Sequence, residues 1–343
     1  MSNFREFFMQ KLLILLKPED IDMSARDFVS TYASYMDSVG IVGKGPTGHV
    51  IFPSRTAPVL DQHTQLFEEL VNLTHTLDIH TVASMDFYTD GWFARDPKYH
   101  TVSPRGEAMP HQICPNREEF WQYGAEIVRE LGAYPIDEIL LFGAGFIRDH
   151  FCFCDRCRSE FAPMVDQEPN RLSYEYITEN PVFHSKWHEW RAEKVSGGLG
   201  RLQDAARESD EKIGREKPLK ISVEVLLDPT TGFSEGGKGQ YGYDYNSILD
   251  ITGSVIINLY PWSPTLPTKG SSEYNELIES LYFTNEFARR GGSVSLFRWG
   301  VTTMDQLQEL KALGKDAGIE RYMTTFSYPN DYSLRRESAI GNY

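Results

Sequence analysis

The segment ILLFGAGFIRDHFCFCDRC, residues 139–157, joins a short apolar run to three closely spaced cysteines. The run Ile139–Phe142 is typical of a strand buried on both faces, as in parallel sheets. Cys152, Cys154 and Cys157 follow it in the order C-x-C-x-x-C. The segment therefore predicts a buried strand whose following loop carries a group of sulfur ligands.

Other short apolar runs repeat the pattern on both sides of this segment. They lie at 12–16, 49–53, 81–87, 221–227, 255–260, 294–297 and 322–326. Segments with apolar residues at helical spacing separate them, for example 24–39 and 61–77. Strands that alternate with helices indicate parallel pairing with right-handed crossovers, and eight such units can close a barrel. No G-x-G-x-x-G or Walker sequence follows an early strand, which disfavours the rival doubly wound open sheet. The sequence therefore predicts an α/β fold, a single TIM-type (β/α)8 barrel domain spanning 1–343.

The composition limits the classes of partner. The chain has 343 residues and a net charge of −15, because 49 acidic residues outnumber 34 basic ones. Such a charge disfavours a nucleic-acid backbone or an anionic membrane as the main partner. The apolar run 12–16 is too short to span a bilayer, and Lys17-Pro18-Glu19-Asp20 follows it in place of a signal-peptide cleavage site. We expect a cytoplasmic protein; this charge leaves a small molecule or an oligosaccharide among the partner classes, and homo-oligomerisation stays open.

A fourth cysteine completes a set with metal-ligand character. Cys114 begins the helix before the fourth predicted strand, and the other three cysteines follow that strand. Both positions lie on the same side of a barrel, so four thiolates can converge as tetrahedral Zn²⁺ requires. Such a closed shell has no open position, so the zinc would clamp the loop after strand 4 and perform no chemistry. Buried free thiols and disulfides are the alternatives, and a cytoplasmic location disfavours disulfides.

This spacing, with C-x-C-x-x-C-R-x-x-F after the strand, resembles the zinc cluster of family 42 β-galactosidases and of related glycoside hydrolase barrels. Asp96-Pro97, Gly106 and Ile113-Cys114-Pro115-Asn116 also resemble a loop common in that group. The resemblance covers roughly residues 80–165. It implies a (β/α)8 barrel, a structural zinc and activity on glycosides.

The sequence departs from that family at both catalytic positions. The family has a general-acid Glu at the end of strand 4, where this chain reads Phe142-Gly143-Ala144-Gly145. Its nucleophile Glu ends strand 7, where this chain reads Phe297-Arg298-Trp299-Gly300. The family's catalytic residues therefore cannot be carried over, and other carboxylates must supply the chemistry.

Four acidic residues lie where a barrel places catalytic groups, at or just after the carboxyl ends of strands. Glu224 shares the inner face of the fifth strand with Ser222 and Leu226, and a charge inside a barrel is costly unless it is paired or functional. A salt bridge to Arg298, Arg55 or Lys17 is its structural explanation. The catalytic candidates are Glu224, Asp86, Asp228 and Asp149.

Aromatic and polar side chains at the same strand ends are candidates for binding a sugar, because aromatic rings can pack against its apolar faces. They are Arg55, Trp92, Asn258, Tyr260, Trp262, Arg298 and Trp299. The sequence thus predicts a glycosidase-type hydrolase with a carboxylate pair at the barrel mouth. Two alternatives remain: a sugar-binding or scaffold barrel without activity, and a lyase or isomerase of a sugar acid whose carboxylate Arg55 and Arg298 hold.

Overall fold

A computed structural model describes residues 11–16, 24–32, 37–226, 237–259, 265–289, 292–299, 301 and 304–325. The barrel strands are β1 Lys11–Leu16, β2 Ser38–Lys44, β3 His80–Asp86, β6 Glu138–Phe142, β7 Lys220–Leu226, β8 Ser254–Asn258, β9 Ser293–Arg298 and β10 Arg321–Thr325. They close into a ring in the order β1-β2-β3-β6-β7-β8-β9-β10, and every neighbouring pair is parallel. The predicted TIM-type barrel is confirmed. Two short strands in the loop after β3, β4 His100–Val102 and β5 Ala108–Ile113, pair antiparallel.

The helices of the described residues are α1 Ala25–Tyr32, α2 Asp61–Thr76, α3 Glu118–Leu131, α4 Asp155–Phe161, α5 Tyr174–Thr178, α6 Pro181–Ile213, α7 Tyr245–Thr252, α8 Ser272–Arg289 and α9 Met304–Ala317. The longest, α6, begins where the Asn180 side chain accepts hydrogen bonds from the N–H groups of Val182 and Phe183. It ends at Gly214, whose φ of 66° is the left-handed conformation that glycine adopts at no steric cost. No helix in these ranges has the length and apolar character needed to cross a bilayer.

Alternation along the strands separates two apolar layers. The inner layer fills the barrel with Leu13, Leu15, Val82, Leu140, Phe142, Ile256, Phe297, Trp299 and Met323. The intervening residues, such as Ala83, Val223 and Leu296, join the larger cluster between the strands and the helices. A residue's position in this alternation therefore decides whether it can reach the barrel interior.

The predicted second strand, 49–53, is wrong. The second barrel strand is β2, which overlaps the predicted helical segment 24–39 only at residues 38–39 and continues to Lys44. The run at Val50–Phe52 is apolar for another reason: Phe52 packs against Phe67 and Tyr134 outside the barrel, at ring-centroid distances of 5.6 and 6.1 Å. Burial under helices produced a strand-like pattern in a loop.

A polar network lies at the amino-terminal end of the barrel strands. Glu138 is buried, and its carboxylate contacts His80 Nε2 at 3.1 Å, Arg321 and the Ser222 hydroxyl. Burial alone raises the pKa of Glu138, but His80 and Arg321 outweigh it and lower the pKa. In TIM barrels this end serves stability, so we assign Glu138 a structural role.

Candidate functional site

Glu224 lies inside the barrel on β7, as its predicted strand phase requires. Val223 and Val225 pack in the outer layer, so Glu224 points to the interior, where it is fully buried. Its Oε2 accepts a hydrogen bond from the Gly143 N–H at 3.0 Å, and its Oε1 accepts one from the Asn258 amide. Donors on both oxygens fix the orientation of the carboxylate.

Asn258, the last residue of β8, has a second polar atom to offer. Its Oδ1 is buried and has no hydrogen-bond partner among the described residues. A buried acceptor without a partner is costly and uncommon in folded proteins. Asn258 therefore orients Glu224 with its N–H and keeps an acceptor available beside it.

Asp86 stands at about the same level of the barrel as Glu224. Asp86 pairs with Phe142 on β6, and the preceding residue of β6, Leu141, pairs with Val223 on β7. The two acidic residues are therefore two strands apart, which places their backbones about 10 Å from each other. Asp86 shares the inner face of β3 with Val82 and is buried. Glu224 and Asp86 thus both face the barrel interior toward the carboxyl ends of the strands.

A buried ion pair at the ends of β2 and β3 escaped the sequence analysis. Lys44 Nζ lies 2.9 Å from Asp90 Oδ2 and donates to the Asp86 carbonyl oxygen at 2.6 Å, and both charged side chains are almost completely buried. Asp90 Oδ1 also accepts from the Phe93 N–H. The pair fixes the backbone at Asp86. Lys44 was missed because the second strand was placed after it.

The predicted substrate-binding residues separate into two groups. Trp299 packs inside the barrel against Phe142 and Phe297, and Trp92 lies at the rim, 36% exposed, with the Arg95 guanidinium over its ring. Arg298 and Arg55 form the second group and do not point into the barrel. Thus Asn258, Trp299 and Trp92 lie around the mouth.

The two arginines do not point into the barrel. Arg298 follows Phe297 in the alternation and faces outward, where it donates to the Gln306 carbonyl and to Glu309 on α9. Arg55 is exposed in the loop before α2, and its N–H donates to Glu130 near the carboxyl end of α3. The structure therefore does not bring Arg55 and Arg298 together as a carboxylate clamp.

Asp149 connects the loop after β6 to the start of α5 through hydrogen bonds. It accepts hydrogen bonds from His150 and, at 2.7 Å, from the Tyr174 hydroxyl. Burial raises the pKa of Asp149, but the hydrogen bonds from His150 and Tyr174 outweigh burial and hold it well below its usual range. A carboxylate held so firmly in its ionised form is unsuited to donate a proton. Asp228, Tyr260 and Trp262, also predicted as site residues, lie outside the described residues.

The four cysteines gather as the sequence predicts. Cys114, Cys152, Cys154 and Cys157 are free, buried, and have all their sulfur atoms within 4.8 Å of one another. Cys114 Sγ is 3.9 Å from Cys154 Sγ and 3.5 Å from Cys157 Sγ, and Cys154 and Cys157 are 3.6 Å apart. The Val102 N–H donates to Cys152 Sγ at 3.2 Å. The cluster is compatible with a bound metal ion.

The spacing of the sulfur atoms tests which ion the cluster suits. Tetrahedral zinc with Zn–S bonds of about 2.3 Å requires sulfur atoms about 3.8 Å apart. The separations among Cys114, Cys154 and Cys157, 3.5–3.9 Å, are close to that value, and Cys152 Sγ lies within 4.8 Å of the other three. Burial raises the pKa of the Cys114 and Cys157 thiols, and a cation bound beside them would favour their thiolate forms.

No family model and no curated protein matches this chain. Among solved structures, it is similar to the glycoside hydrolase domain of PgaB (BpsB) from Bordetella bronchiseptica, with a TM-score of 0.70 and 11% identity over 96% of this chain and 97% of the other. It is also similar to the catalytic domain of β-amylase from Paenibacillus polymyxa, with a TM-score of 0.65 and 10% identity over 92% of each chain. At these identities the likeness establishes the (β/α)8 barrel as the fold.

Proposed function

We propose that this protein is a glycosidase-type hydrolase that acts on a carbohydrate or glycoside through Glu224 and Asp86. The observation that carries the proposal is the buried Glu224 carboxylate, oriented by Asn258 and Gly143 inside the barrel. A charge placed there is costly for folding, which favours a functional reason for keeping it. The similarity to a glycoside hydrolase domain and to a β-amylase catalytic domain supports the same class.

The proposed roles follow from the hydrogen bonds. Both oxygens of Glu224 accept hydrogen bonds, an arrangement that suits a nucleophile or base better than a proton donor. Asp86 is then the partner that protonates the glycosidic oxygen. The unpartnered Asn258 Oδ1 can accept a hydrogen bond from a sugar hydroxyl, and Trp299 and Trp92 supply aromatic surface at the mouth.

The cysteine cluster has a structural part in this proposal. We expect one Zn²⁺ bound by Cys114, Cys152, Cys154 and Cys157, with no open position for chemistry. It would join the loop after β3, which carries Cys114, to the loop after β6. The four free thiols agree with a reducing, cytoplasmic location, which stays a prediction.

A screen of aryl glycosides and natural oligosaccharides, with products followed by NMR, tests the proposal. Turnover by the wild-type protein that Asp86→Asn lowers by about 100-fold or more supports it. Binding of an oligosaccharide in calorimetry without any turnover would favour the sugar-binding alternative. Turnover of uronates by elimination or isomerisation would favour the third class.

A further inference from the structure

A groove beside the cysteine cluster is lined with positive charge. We call it the basic groove and define it by Lys98, Arg105, Arg117, Arg156 and Arg158. It has a volume of about 630 Å³, and Val102, Phe153 and Leu172 provide its apolar surface. Its walls come from the loops after β3 and β6, so it opens on the same side of the barrel as Glu224 and Asp86.

The charge of the basic groove contrasts with that of the whole protein. The chain carries a net charge of −15, whereas Asp155 is the one acidic residue among those that line the groove in the described part of the chain. A cluster of like charges is unfavourable unless something offsets it. The groove is therefore a locally basic part of an acidic protein.

Some of this charge is already compensated. Lys98 pairs with Asp96, Arg158 pairs with Asp155, and Arg156 pairs with Glu160. Arg156 also interacts electrostatically with Cys114, so its positive charge can offset the thiolates of the cluster. These three side chains alone would not require a ligand.

Arg105 and Arg117 differ from the other three. Neither makes an ion pair with a carboxylate of the described residues. Arg105 is exposed and Arg117 is half-buried, and both side chains line the groove. Guanidinium groups bind carboxylates and sulfates with matching geometry.

We propose that the basic groove binds an anionic group, a carboxylate or a sulfate, on a carbohydrate ligand. The guanidinium groups of Arg105 and Arg117 hold the anion, and Pro97 and Pro104 offer apolar surface to the ring that carries it. The anionic part of this proposal rests on the groove itself. The carbohydrate part rests on the proposed function.

Isothermal titration of the full chain with trigalacturonate at low ionic strength tests the proposal, with neutral maltotriose and inorganic sulfate as separate arms. We expect the double variant Arg105→Gln/Arg117→Gln to bind trigalacturonate at least about tenfold more weakly than wild type. Arg207→Gln, which removes one positive charge from the exposed face of α6, should leave the affinity within about twofold. Metal content and melting temperature of each variant verify that the cluster and fold are intact.

Equal affinity of the double variant and wild type would overturn the proposal, as would equal loss in Arg207→Gln or equal binding of maltotriose. Inorganic sulfate that binds as tightly as trigalacturonate would overturn the carbohydrate part. The same titration on Glu224→Gln separates the two proposals. If Glu224→Gln binds trigalacturonate tightly and wild type turns over no glycoside, the hydrolase proposal is refuted and the groove proposal stands. If wild type turns over a glycoside and trigalacturonate does not bind, the groove proposal is refuted and the hydrolase proposal stands.

Discussion

The side-chain amide of Asn258 donates a hydrogen bond to Glu224 Oε1 across the neighbouring strands β8 and β7. Both residues face the barrel interior and both are fully buried. Asn258 therefore positions the carboxylate on which the proposed chemistry depends.

Removing this contact should impair the reaction without unfolding the barrel. A hydrogen bond to a charged group is worth about 1.5–3 kcal/mol, so we expect Asn258→Ala to lower kcat about 10- to 100-fold. The pH profile of kcat should shift as well, because the environment of Glu224 changes. Loss of stability with an unchanged pH profile in the residual activity would show that Asn258 is merely structural.

The metal content of protein purified in metal-free buffer should be about one zinc per chain. Because metal binding is coupled to folding, Cys114→Ser should lose the zinc and lower Tm by at least about 5 °C. Ser159→Ala, an exposed change next to the cluster, is the matched control. Protein without metal and with four freely titrating thiols would contradict the zinc assignment.

The ion pair between Lys44 and Asp90 should matter for stability because it is buried. Removing one partner leaves an unpaired buried charge, so Lys44→Met should lower the free energy of unfolding by about 3–5 kcal/mol. Lys98→Met breaks the exposed pair with Asp96 and should lower the free energy of unfolding far less, because solvent screens exposed charges. Urea denaturation measures the free energy of unfolding of both variants. Similar losses in the two variants would contradict the expected difference between the buried and the exposed ion pair.

Asp149 should contribute stability in a pH-dependent way. Its pKa is lower in the folded protein than in the unfolded chain, so its contribution is complete above the unfolded value of about 3.9 and is lost as the pH falls through the folded value. Asp149→Asn should therefore melt below wild type at pH 7, and the gap should narrow at acidic pH. Asp204→Asn, an exposed acid paired with Arg207, should show little change. A difference in melting temperature between wild type and Asp149→Asn that grows on acidification would contradict a lowered pKa of Asp149.

The sequence was informative where alternation and spacing carry physical meaning. Burial on both faces makes barrel strands apolar, and most of the predicted runs became strands. The alternation of side chains along a strand correctly predicted that Glu224 faces the barrel interior. The position of both cysteine-bearing loops on one side of the barrel correctly predicted that Cys114 lies beside the other three cysteines. These features depend on local chain geometry and on the barrel's parallel connections.

The errors arose where tertiary packing imitates a local pattern. The run around Phe52 is apolar because Phe52 is buried against Phe67 of α2. Interpreting that run as the second strand placed the strand after β2, made Arg55 a strand-end candidate and left Lys44 out. Arg298 was chosen for lying at a strand end, although Trp299 next to it takes the inward position. The Lys44–Asp90 pair joins the end of β2 to the loop after β3, and these two residues are too far apart in the chain for a short sequence window to relate them.

The most direct test of the proposed hydrolase compares turnover by wild type and Glu224→Gln on the best substrate of the glycoside screen, with Glu211→Gln on the exposed face of α6 as the matched control. We predict that Glu224→Gln loses at least about 100-fold in kcat while its circular dichroism spectrum and zinc content stay those of wild type, and that Glu211→Gln remains fully active. Wild-type turnover by Glu224→Gln would contradict a catalytic role for this carboxylate.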